Sequence, residues 1–92
     1  MSSVVKEKLR IYEAVFSGPG MNDRSKIILH LSRQNILLLS RLIETGLNAN
    51  KENADEWLSL LSSEAKQELE TVVPEMLKKG GLTQFYEKLK SL

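Results

Sequence analysis

The sequence predicts a small all-α fold, and three observations carry that prediction. Sixteen leucines stand against five aromatic residues, and leucine keeps most of its rotamer freedom in a helix. Apolar residues recur at steps of three and four along most of the chain, the spacing of one helical face. Gly and Pro gather at Ser17-Gly18-Pro19-Gly20 and Gly80-Gly81, where they punctuate those stretches. The reading is a single helical domain over residues 1–92. It is a small antiparallel bundle of about four helices, the third bent near Ser62-Ser63 and Pro74.

The first stretch covers Ser3–Phe16, where Val5, Leu9, Tyr12 and Phe16 follow helical steps and Ile11 and Val15 widen the stripe. The second is expected over Asp23–Thr45. Asn22 would cap it, Asp23 would complement the helix dipole, and Gly46 would close it in a left-handed turn with Leu47 against Leu42. The third follows the polar loop 48–52, with Asn53 and Glu56 at capping-box spacing. Trp57, Leu61, Ala65, Leu69, Val72 and Met76 keep one phase through Ser62-Ser63-Glu64 and Pro74. That shared phase favours one bent helix over 54–79 rather than two. Thr83 would cap a short fourth, with Leu82, Phe85, Tyr86, Leu89 and Leu92 in one arc; about three turns are too few to stand alone.

The bulk numbers narrow the function classes. An apolar share of 41% argues against intrinsic disorder. Without cysteine the chain has no disulfide, thiolate metal site or Cys nucleophile, which favours a reducing compartment. The charges in Val4-Val5-Lys6-Glu7-Lys8 disfavour a signal peptide, and Ile36–Leu39 is the longest apolar run. The expectation is a cytoplasmic protein, or a nuclear one by passage, and not an integral membrane protein.

No catalytic constellation emerges. His30 is the only histidine and lies on a polar helix side with Lys26, Arg33, Gln34 and Arg41. Glu64, Glu68 and Glu75 share helical spacing, but no Glu-x-x-His pair accompanies them as in helical di-metal sites. Neither glycine cluster has the downstream Gly-Lys-Ser/Thr of a phosphate loop. A helix–turn–helix reading would present Ala54-Asp55-Glu56-Trp57 to DNA, and its acids would repel phosphate. The expectation is therefore no enzyme, no cofactor and no metal.

The surface reads as unfinished. Apolar residues of the second stretch fill an arc of about 200°, wider than the ~100° a surface helix requires, so that helix is either central within its own bundle or shared with another chain. Asn35 sits near its middle, where a buried amide would fix register or partner choice. Leu37 and Leu60 fall on otherwise polar faces. With Leu77 they would form a contact patch bordered by Arg33 and Arg41. Net charge alternates as well: +3 over residues 1–49, −5 over 50–75 and +3 over 76–92. Such alternation suits antiparallel neighbours whose flanks attract each other, or a chain that meets another copy head to tail, and suits a nucleic-acid face poorly.

The segment Leu39-Ser40-Arg41-Leu42-Ile43-Glu44-Thr45-Gly46-Leu47-Asn48 resembles a helix ending in the small MOZART family, adaptors of gamma-tubulin complexes. It covers about a tenth of the chain. The family's second segment, Gly, Asn, Pro and Glu ahead of another helix, has no counterpart after Asn48, so no residue role is carried over. The expected function is a non-enzymatic protein-interaction or assembly module, binding a protein partner or a second copy of itself. The alternative is a peripheral regulator at nucleic acid or an anionic membrane, using Lys78, Lys79, Lys88 and Lys90.

Overall fold

The structure is a computed structural model and describes residues 3–49 and 55–92. Among these it is all-helical, without strands: α1 (Ser3–Phe16), α2 (Arg33–Leu47), a 3-10 turn (Leu58–Leu60), α3 (Ser63–Gly80) and α4 (Thr83–Lys90). The expected cap at Asn53 lies outside the described residues.

Helix α2 begins at Arg33 rather than Asp23. Ser32 is its cap, with an extended backbone and a hydroxyl that accepts the Asn35 N–H at 3.1 Å. Residues 23–32 are irregular instead of helical. The apolar period runs through Ile27, Ile28 and Leu31, but this segment is rich in weak helix formers: Asp23, two serines, His30 and two adjacent β-branched isoleucines. Ser32 also offers the backbone a bond that competes with continuing the helix backwards.

The end of α2 differs from expectation as well. Gly46 lies inside the helix, and Asn48 closes it at φ −101°. The Asn48 backbone N–H and side-chain Nδ2 both donate to the Glu44 carbonyl, at 3.1 and 2.9 Å. That side chain does the work expected of a left-handed glycine.

The single bent helix expected over 54–79 is broken. Leu61 and Ser62 are extended, with ψ of 115° and 163°. Ser62 then starts α3 by accepting the Ala65 N–H at 3.1 Å, and Glu64 adds negative charge to the first turn. Pro74 lies inside α3, which continues to Gly80. Trp57 thus belongs to the turn before α3. Its ring meets Tyr12 and Phe16 of α1 edge-on, with centroids 5.9 and 6.0 Å apart.

At the far end of α3 the chain reverses. Gly81 takes φ +67°, its N–H donates to the Lys78 carbonyl at 3.1 Å, and Leu82 N–H reaches the Leu77 carbonyl at 2.8 Å. These two bonds with Leu77 and Leu82 both buried make a Schellman ending. It turns α4 onto α3, so that Leu82 and Tyr86 close over Val73 and Leu77. Ile36, Leu37 and Ile43 of α2 pack partly buried against this cluster, together with Met76.

Glycine at 46 and at 81 should therefore respond in opposite ways. Gly81→Ala meets no atom within 4 Å but forces a left-handed alanine, costing about 1–2 kcal/mol. Gly46→Ala touches only Leu58 Cδ1, at an ordinary 3.9 Å, and should stabilise by about 0.4–1 kcal/mol. Urea unfolding of both variants measures the pair; destabilisation by Gly46→Ala would return the left-handed turn to position 46.

Candidate interaction surface

Two sites border the core, and they differ in character. The first is a polar clamp. The Tyr86 hydroxyl donates to the Glu44 carboxylate, which joins α4 to α2. Lys90 Nζ lies 3.6 Å from the same carboxylate and 5.3 Å from the Tyr86 ring centroid. Burial pushes the Tyr86 hydroxyl up to about 12, and its bond to Glu44 and the charge of Glu44 push the same way. A phenol held neutral against a carboxylate keeps its proton, so the clamp joins helices rather than supplying a base near neutral pH. A cavity of about 300 Å³ opens beside it, bordered by Glu44, Asn48, Pro74, Thr83 and Glu87.

The second is an open groove of about 780 Å³ between the 25–31 segment and α3. Ile27, Leu29 and Leu31 form one wall, and Leu69, Val72 and Met76 the other. Arg24 holds the segment across α3 through a 2.7 Å ion pair with Glu68. Both partners are well exposed, so this pair positions the segment more than it stabilises the fold.

At the groove and beyond it, apolar side chains lie open. Ile27 is 75% exposed, Ile28 70% and Leu29 66%; Leu42 on α2 is 69% and Ile11 on α1 61%. The accessible surface is 8074 Å², against about 5,400 Å² for a compact monomer of this mass. The radius of gyration is 16.1 Å, against about 12 Å for a compact domain of this length. A surface so rich in large apolar groups is the usual mark of a contact site.

The residues expected to form a patch are placed differently. Leu77 is 3% exposed and part of the core, and Leu37 packs against it half-buried. Leu60 is half-buried in the 3-10 turn, while Arg33 and Arg41 are exposed. The reason for Leu77 is the Gly81 reversal, which folds α4 over it. Asn35 is exposed in the first turn of α2, because the helix starts so late. The buried polar residue of α2 is Ser40, whose hydroxyl donates to the Ile36 carbonyl at 2.8 Å.

His30 is exposed at the groove, and no group of three His, Asp or Glu side chains among the described residues gathers as a metal would need. No helix of the described residues is long and apolar enough to cross a membrane. The open wall at Ile27–Leu29 was missed by periodicity. Its signal was the adjacent isoleucines followed by a capping serine. Comparison with protein-family models, curated proteins and solved structures finds no match for this chain.

The clamp gives stability a defined alkaline limit. Tyr86 binds its proton more tightly folded, at about 12, than at its ordinary 10.0. Its contribution is complete below pH 10 and is lost as pH rises towards 12. Tyr86→Phe should cost about 1–3 kcal/mol near neutral pH, since Glu44 loses a donor. It should also flatten the decline above pH 10. Urea unfolding of both proteins across pH 8 to 11.5 checks this, and parallel alkaline curves would remove Tyr86 from the account.

Proposed function

We propose that this chain is a non-enzymatic protein-interaction or assembly module of the cytoplasm, binding through apolar helix faces and the apolar 23–32 segment. One observation carries the reading: the surface exceeds that of a compact monomer by about 2,700 Å², and large apolar side chains from three parts of the chain lie in it. A standard interface takes about 800 Å² from each partner. The groove supports the same reading, because Ile27, Leu29, Leu31, Leu69, Val72 and Met76 line it together with Glu68, Glu75 and Lys79.

A basic-patch reading, at nucleic acid or an anionic membrane, draws less support. Two of its four lysines are engaged inside the chain, Lys79 with Glu75 and Lys90 with Glu44, each at 3.6 Å. Salt separates the two readings, since phosphate binding weakens steeply with ionic strength and an apolar interface hardly responds.

The test is the mass of the native complex at low and at high salt, for the wild type and for Ile27→Ser/Leu29→Ser. Both residues are largely exposed, so helicity should be kept. A mass above the 10.4 kDa of one chain, retained in high salt and lost in the variant, is the expected result. A single-chain mass in both salts overturns the proposal.

A further inference from the structure

We infer that a second copy of this chain fills the groove, seating the outer face of its α4 between the 25–31 segment and α3. The inference rests on the interaction reading and names its occupant. Helix α4 is only half used by its own chain. Leu82 and Tyr86 are buried, whereas Phe85 is 60% exposed, Leu89 53% and Leu92 98%. Phe85 and Leu89, at i and i+4 on the helix, are the anchors of a helix that lies in an apolar groove, and Leu92 follows just past the helix end. Phe85 and Leu89 lie four residues apart, as do Val72 and Met76 in the groove wall, a rise of about 6 Å in each case.

Charge favours the same occupant. Residues 50–75 carry −5 and residues 76–92 carry +3. Glu64, Glu68 and Glu75 fall on one side of α3, along the groove's outer edge by helical phase. Glu68 and Glu75 already meet Arg24 and Lys79, but Glu64 is exposed and makes no ion pair among the described residues. Lys88 flanks the Phe85–Leu89 stripe on α4 and supplies the matching cation.

A chain cannot serve itself in this way. The Gly81-Leu82 reversal fixes its α4 on Val73 and Leu77, and no residue of its α4 lines the groove. Each copy therefore offers one stripe and one groove, and two copies satisfy both at once about a two-fold axis. The open surface, about 2,700 Å² beyond the compact value, is ample for the ~800 Å² per partner that a standard interface takes.

The chain has no cysteine, so single-cysteine variants report contacts cleanly. Leu69→Cys sits in the groove wall and Leu89→Cys on the α4 stripe, both at exposed positions. The two full-length variants are mixed, oxidised mildly and separated by mass after isotope labelling of one. Sedimentation equilibrium of the wild type runs alongside from micromolar to millimolar concentration. The expected result is a reversible dimer and a Leu69→Cys/Leu89→Cys disulfide exceeding the half share that random pairing gives. A dimer with random or like-with-like disulfides overturns the α4-in-groove contact and leaves the interaction reading standing. A single chain at millimolar concentration overturns the second copy as occupant, while the native-complex mass decides the broader reading separately.

Discussion

The reversal at Gly81 is the constraint on which the rest of the structure depends. One left-handed residue and two backbone bonds, Gly81 to Lys78 and Leu82 to Leu77, turn α4 onto α3. Only then do Leu82 and Tyr86 reach Val73 and Leu77, and only then does the Tyr86 hydroxyl reach Glu44 on α2. Three helices are thus tied by a small apolar cluster and one charge-assisted hydrogen bond. Each buried side chain of this kind contributes about 1.5–3 kcal/mol, so loss of the turn would remove most of what holds α4 in place.

That economy of core has a consequence at the surface. Helix α1 leans on the rest through aromatic edges at Trp57, and the 23–32 segment crosses α3 with an exposed ion pair at Arg24 and Glu68. Neither is covered by the chain itself. Ile27 and Leu29 lie open in the groove wall, and Ile28 and Leu42 are exposed as well. The polar clamp and the apolar groove have separate roles in this account. The clamp orients α4, and that orientation leaves Phe85 and Leu89 facing outward.

How legible this was depends on which signal governed each segment. Helices α1 and α4 were readable because periodicity, length and glycine punctuation agreed. Helix α2 was not, because its apolar period extends back through Ile27 and Ile28 while local propensity does not. Periodicity records which faces are apolar, not whether the backbone stays helical. The same limit hid the break before α3: Trp57 and Leu61 keep phase with Leu69, yet Ser62 starts a new helix. Leu77 lies in the core for a tertiary reason, since nothing within α3 marks which face α4 will cover. Excess apolar surface was legible in the breadth of the second stretch, although its exposed part lies elsewhere than at Leu37 and Leu60.

A lone chain leaves its groove and its 23–32 segment open. Small-angle X-ray scattering, at dilutions where a single copy persists, measures this most directly. An open chain gives a radius of gyration near the 16.1 Å of the structure, before the small addition from side chains and hydration. A value near the ~12 Å of a compact domain of this length would contradict the account, because the apolar surface would then be covered from within.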